Sequence, residues 1–224
     1  MLSVLYNHFA KIVSETWRRA RSSGWRSGWV CAKTHLLNTW IRLQNRCGSE
    51  QVACPCCGWR GSKFFSLDCG WFIVPQVSCP ACNAHERHRM LHLFFTRRPP
   101  AFLTQDRPGR ILHFAPEQQV RSFTEQNPKL TTLCTDYARF MVARMPRPGF
   151  VADIHRLPLR DHAIDGLYCM HVLEHVADDR QAIRELHRVL KPGGEALIMV
   201  PFMMHQTETE EYGAPDPDIF DHVR

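Results

Sequence analysis

No stretch of this 224-residue chain stays apolar over the roughly 20 residues that a bilayer-spanning helix needs. Its start also lacks the basic-then-apolar order of a secretory signal, so a soluble, cytoplasmic protein is expected, with membrane contact at most peripheral. Acid is nearly missing from residues 1–47, where Glu15 stands alone against eight Lys and Arg; that segment carries +7 and leaves −1 for the rest of a chain of net charge +6. Glycine is missing from "ILHFAPEQQV", residues 111–120, where a nucleotide-binding α/β domain would keep its first turn. What the chain does have is a 44% hydrophobic composition, enough for a buried core and against overall disorder.

Ten cysteines are present, but their spacing is not that of a secreted disulfide scaffold. Cys54 and Cys57 form one C-x-x-C and Cys79 and Cys82 another, with 21 residues between the pairs. Two residues between paired cysteines let both sulfurs reach one ion, so the four are expected to hold a structural zinc, with Gly58 easing the first turn. Buried free thiols or a redox C-x-x-C are the alternatives, and redox motifs rarely come as a matched pair. Cys56 is expected to be a surface thiol, and His85 and His88 to lie on a helix surface. That helix should start from Asn83 as cap with Glu86 three residues on, and bury Met90, Leu91, Phe94 and Phe95 before Pro99 and Pro100.

From residue 110 the pattern becomes apolar runs alternating with helical segments: 110–115, 130–135, a short 150–154, 164–170 and 195–202. This is the pattern of a Rossmann-like, doubly wound, mostly parallel sheet. The clearest helix places Ile183, Leu186, Val189 and Leu190 on one face, begins at Asp178 or Asp179 and stops at Lys191-Pro192-Gly193-Gly194. The next run, "ALIMVPF", reads as a fully buried strand. Three pieces follow: a basic segment 1–47, a zinc-ribbon-like module 48–98 and an α/β domain 99–224. In such sheets ligands bind at the carboxyl ends of strands. Asp136, about 20 residues past the first turn, is placed to accept from ribose hydroxyls. Asp153 is placed to accept from an adenine amino group, with Ile154 packing on the ring.

The stretch "VADIHRLPLRDHAIDGLYCMHVLEHVADDRQAIRELHRVLKPGGEALIMVPF" resembles the centre of a class I S-adenosylmethionine-dependent methyltransferase of the type 11 kind, over roughly residues 110–202. The subgroup with a zinc-knuckle region ahead of an "LHFAPE" strand end is similar to this chain. The resemblance implies S-adenosylmethionine as cofactor, Asp136 at its ribose and Asp153 at its adenine. It implies Cys169, Met170, His171 and Val172 near the methyl group. At the first turn His113 stands near the family's acidic position, Ala115 near its first glycine and Glu117 near its second, where Glu117 would pair with the cofactor's amino group. The family also continues past its fifth strand with a helix and two more strands. Only 22 residues follow Phe202, so the domain is expected to be incomplete at its C-terminal end, with strand 195–202 exposed as an edge.

Methyl transfer requires alignment and, for some acceptors, a general base. His171 and Glu174 are the candidates, with His175 and His205 behind them, and histidine suits a hydroxyl acceptor near neutral pH. The turn "CMHV" lacks the N-P-P-Y pattern that goes with amine methylation, which disfavours a nucleic-acid base. The expected acceptor is a small molecule, glycan or lipid precursor. The alternative is a non-catalytic zinc-ribbon adaptor or RNA-binding protein. The basic segment, with Leu2, Leu5, Phe9, Ile12, Val13 and Trp17 on one face and a second cluster at Leu36, Leu37, Trp40 and Ile41, is expected to pack or to touch a membrane rather than grip RNA.

Overall fold

In the computed structural model the described residues are 2–145 and 149–201, without the side chains of residues 2–9 and 11. His205 and the "DHVR" segment lie outside them, as does the expectation of an incomplete sheet, which concerns residues past 201. The chain divides into two compact units, Met1–Thr96 and Arg97–Arg224.

The first unit opens with α1 (Leu2–Cys47), whose run is broken at Gly24 by φ 85° and ψ 163°. That backbone conformation is essentially reserved for glycine, and here it folds the helix back on itself. A Cβ on Gly28 would stand 2.7 Å from the Ala20 Cβ. Two segments eight residues apart can approach that closely only if they run side by side, since a straight helix would separate them by about 12 Å. The Glu15–His35 ion pair at 2.9 Å joins the same two arms. Ser27, Val30, Cys31, Thr34 and Ile41 are buried at helical spacing, while Leu36 and Trp40 are exposed. The expected apolar cluster Leu36, Leu37, Trp40 and Ile41 is therefore split between two faces.

Two short hairpins follow. β1 (Val52–Ala53) pairs antiparallel with β2 (Arg60–Gly61), and β3 (Phe65–Asp68) with β4 (Ile73–Ser78). Two asparagines of α1 bind this segment with their amides. Asn38 donates to the Ser66 carbonyl at 2.9 Å and accepts from its N–H at 2.8 Å. Asn45 accepts from the N–H groups of Ser62 and Lys63, each at 2.9 Å. Helix α2 (Glu86–Arg97) closes the unit and buries His88, Leu91 and Phe95. Met90 and Phe94, expected inside, are 54% and 47% exposed, because α2 turns only one narrow stripe inward.

The second unit begins with α3 (Ala101–Thr104), then β5 (Gly109–Phe114), α4 (Gln118–Glu125), β6 (Leu130–Asp136), α5 (Arg139–Val142), β7 (Gly149–Val151), β8 (Ile164–Met170), α6 (Asp179–Val189) and β9 (Leu190–Met199). All five strands are parallel, in the order β7-β6-β5-β8-β9. One face of the sheet, with Leu112, Phe114, Leu167 and Cys169, packs on Ala182, Leu186 and Val189 of α6 in the main core. On the other face His113 stands opposite Tyr168, and Gly166 lets the Phe102 ring lie on the sheet, where a Cβ would meet it at 2.3 Å.

Helix α6 starts where expected, with the Asp178 carboxylate accepting from Gln181 N–H. Ile183, however, is 45% exposed. The stop signal itself forms a bulge, where the pairing with β8 jumps from Leu190 to Glu195 and Gly193 takes φ 77°. Strand β9 is not the fully buried strand expected of its apolar run. It pairs with β8 alone among the described residues, and Ile198 and Val200 are 44% and 48% exposed.

Candidate functional sites

Cys54, Cys57, Cys79 and Cys82 converge, their sulfurs all within 4.8 Å of one another. The Cys54–Cys82 and Cys57–Cys79 separations are 3.8 and 3.7 Å. Four sulfurs tetrahedrally placed at about 2.3 Å from one ion would stand about 3.8 Å apart, so these two separations match the spacing a structural zinc requires. The two knuckles share one backbone design. Cys54 N–H donates to Trp59 O and Gly58 N–H to Cys54 O; Cys79 N–H donates to Ala84 O and Asn83 N–H to Cys79 O.

Both turns need a left-handed residue after the second cysteine: Gly58 at φ 75° and Asn83 at φ 57°. Asn83 therefore serves the metal turn rather than capping α2. The His88 ring takes over the cap by accepting from His85 N–H at 3.0 Å, and His88 is buried rather than on the surface. Arg89 locks the second knuckle by donating to Val77 O and Ala84 O while stacking 3.9 Å from the Phe64 ring centre. Cys56 is half-buried beside the cluster rather than at the surface.

In the α/β unit the reversal of strand order falls between β5 and β8, where a parallel sheet leaves a crevice at its carboxyl edge. Two non-glycine residues with left-handed backbone stand on that edge: Ala115 (φ 42°) directly after β5 and His171 (φ 54°) directly after β8. Such a conformation costs an L-residue about 1–2 kcal/mol and collects at ligand sites. His171 Nδ1 lies 3.2 Å from Glu174 Oε1, while its Nε2 is buried without a partner among the described residues. Thr135 Oγ1, near the end of β6, is buried and likewise unpartnered there.

Asp136 ends β6, and its Oδ1 accepts from Ala138 N–H at 2.9 Å. Asp153 follows β7 and is exposed, with Oδ1 accepting from His155 N–H at 2.9 Å and lying 2.7 Å from His155 Nδ1. The His155 N–H and ring together hold the Asp153 carboxyl below its usual range, so it is ionised at neutral pH. Helix α6 grips the loop that carries it. Glu185 accepts from Leu157 N–H, and Arg188 donates to the carbonyls of Leu157 and Leu159 and to Asp161.

His155 was missed by the sequence reading; its only signal was a position two residues past Asp153. Glu117 is half-buried just ahead of α4. His113 is buried against Tyr168, ring centres 5.0 Å apart, and burial pushes its pKa down to about 4, leaving a neutral imidazole at pH 7. Ile154 is buried in the core, Cys169 is wholly enclosed there and Met170 is buried too, so His171 and Val172, directly after β8, are what is partly exposed at the sheet edge. Burial drives the Cys169 thiol pKa up to about 12, which makes it inert.

A family model described as a methyltransferase domain, of type 11, matches residues 116–198. The matched stretch lies within the α/β unit, from just after β5 into β9. An uncharacterized 37.1 kDa protein in transposon TN4556 of Streptomyces fradiae is 49% identical over 51 residues, 23% of this chain and 15% of that protein. Among solved structures, a putative sarcosine dimethylglycine methyltransferase from Galdieria sulphuraria aligns with TM-score 0.43 and 18% identity, over 49% of this chain and 44% of that one. The YcgJ protein from Bacillus subtilis aligns with TM-score 0.40 and 21% identity, over 50% of each chain. A chain from the complex between the Haloferax volcanii Trm112 methyltransferase activator and the putative methyltransferase aligns with TM-score 0.38 and 19% identity, over 49% of this chain and 52% of that one. The chain spans about half the length of these solved chains.

The methyltransferase domain implies S-adenosylmethionine as its cofactor, and the carboxyl edge of the sheet fits one. Two carboxylates stand at the ends of neighbouring strands, Ala115 brings its backbone to the switch point, and two buried polar atoms there lack partners among the described residues.

Proposed function

We propose that the chain transfers a methyl group from S-adenosylmethionine to a hydroxyl-bearing acceptor, a small molecule, glycan or lipid precursor. The observation that carries this reading is the His171–Glu174 pair at the end of β8, beside the switch point of a methyltransferase domain. When bound, the cofactor's sulfonium supplies an electrophilic methyl. The chain's residues hold and align the reactants. Asp136 would accept from the ribose hydroxyls, Asp153 from the adenine amino group, and Glu117 would pair with the amino group at the methionine end.

Glu174 accepts from Nδ1–H and so leaves the Nε2 lone pair of His171 available. That nitrogen is the group that would take the acceptor's hydroxyl proton, leaving the oxygen as the nucleophile for the methyl that a bound cofactor would supply. The four-cysteine cluster holds a zinc that is structural, because four thiolates leave it no open coordination position.

Titration calorimetry with S-adenosylhomocysteine tests the cofactor half of this reading, and the absence of any heat of binding would favour the non-catalytic adaptor instead. For the base, His171→Ala should lower turnover about 100-fold or more while leaving S-adenosylhomocysteine affinity unchanged. Unchanged turnover removes His171 from that role.

A further inference from the structure

The outer face of α1 takes no part in the four-cysteine cluster. At 3.6 residues per turn, Trp25, Trp29, Leu36, Trp40 and Leu43 fall within a sector of about 60°, on a ridge about 27 Å long. They are between 49% and 74% exposed, and the buried residues of the same arm lie on the opposite side. Large apolar side chains seldom collect on a soluble surface without a partner. Trp17, on the other arm, meets Trp25 edge to face at 5.6 Å, so the ridge continues across the hairpin. There Arg18, Arg21, Ser14 and Ser22 join Trp17 around an open recess of about 490 Å3. Arg26 and Lys33 are exposed along one flank, with Lys33 Nζ 5.0 Å above the Trp29 ring.

The chemistry selects the occupant. A second copy of this face would bring the same +7 segment against itself. A nucleic-acid strand would use the tryptophans for stacking but gain nothing from Leu36 and Leu43, and a helix ridge is convex where single strands are held in grooves. Tryptophan and leucine flanked by arginine and lysine on an otherwise soluble helix are the composition that rests at a lipid headgroup boundary. The recess, with two guanidinium groups and two hydroxyls, suits a phosphate or carboxylate headgroup.

We propose that this face of α1 docks the protein on a membrane surface containing anionic phospholipid, with the helix lying in the plane of the interface. This surface stands independently of the methyl-transfer reading.

The test is cosedimentation of the full, zinc-loaded chain with vesicles of phosphatidylcholine alone and of phosphatidylcholine and phosphatidylserine at about 7:3, with tryptophan emission read in parallel. Binding is expected on the anionic vesicles, at least about tenfold tighter than on phosphatidylcholine, with a blue shift in emission. Arg18→Gln together with Lys33→Gln should weaken it about 30-fold, which about 1 kcal/mol per cation amounts to. Replacing Trp25, Trp29 and Trp40 by serine should abolish it. These side chains are exposed, so circular dichroism should show folding unchanged. The proposal is overturned if the wild-type chain stays off anionic vesicles, or if either set of substitutions leaves binding intact in a folded protein. It is also overturned if a uridine homopolymer binds through the same tryptophans and arginines while vesicles do not.

Discussion

Replacing Asp165 by asparagine should destabilise the α/β unit by about 2–3 kcal/mol. The carboxylate is 1% exposed at the start of β8 and receives Arg107 Nη1 at 2.7 Å, Lys191 Nζ at 2.8 Å and Arg110 N–H at 2.9 Å. It thereby ties the first residues of three adjacent strands together. Hydrogen bonds to charged groups contribute about 1.5–3 kcal/mol each when enclosed. Arg107 is 61% and Lys191 36% exposed, so both cations keep part of their hydration and their joint contribution falls at the low end. Asparagine keeps one acceptor oxygen for Arg110 N–H and loses the charge together with the second acceptor, the one Arg107 uses.

All six tryptophans precede residue 97, so the α/β unit carries no tryptophan of its own to report its unfolding. Urea unfolding followed by far-ultraviolet circular dichroism, with amide exchange over 164–170, reads it directly. Burial would raise the Asp165 pKa, but Lys191, the Arg110 N–H and Arg107 outweigh it and hold the carboxyl below its ordinary value. A depressed carboxyl contributes its stability above the unfolded pKa of about 3.9 and loses it as pH falls through the folded one. The difference between wild type and Asp165→Asn should therefore be full at pH 7 and shrink below about pH 4. A variant equal to wild type at pH 7, or a gap that widens on acidification, would refute the assignment.

Metal analysis should find about one zinc per chain, lost on Cys→Ser at 54, 57, 79 or 82 and retained in Cys56→Ser; release by Cys56→Ser alone would mean the ligands are misassigned. Asp136→Ala and Asp153→Ala should each weaken S-adenosylhomocysteine binding by about 1.5–3 kcal/mol, roughly 12- to 150-fold by calorimetry, and unchanged affinity in both would remove the basis for the cofactor site. Ala115→Gly relieves a left-handed alanine and should raise stability by up to about 1 kcal/mol, the entropy of the unfolded glycine offsetting part of the gain. A loss of stability in that variant would show that the alanine methyl does more by packing than it costs in strain.

The parallel α/β architecture and the four-cysteine cluster were legible because their signals are local. A C-x-x-C is complete within one turn, and an apolar run between helical stretches reads as a parallel strand whatever surrounds it. Faces were less legible. Periodicity groups Met90 with Phe94, and Leu36 with Trp40, as residues sharing a side, but it does not say which side meets a neighbour. The apolar run ending β9 reads as buried, yet position in the sheet decides exposure, and β9 is outermost among the described strands.

The candidate site divides in the same way. Asp136 and Asp153 were placed by counting from strand ends, and Ala115 by its position in a turn that lacks glycine. By itself, then, the sequence determined the classes of element, their order and the metal-knuckle spacing, all of which depend on residues a few positions apart. Only the tertiary structure decided that Gly24 folds α1 back on itself and that Asn38 and Asn45 bind backbone 17 to 28 residues away. It alone buried His113 as a neutral ring and set the Nε2 of His171, which has no partner among the described residues, beside the switch point. Those outcomes depend on which surfaces meet, and the free energy of burial belongs to the pair of surfaces rather than to either segment alone.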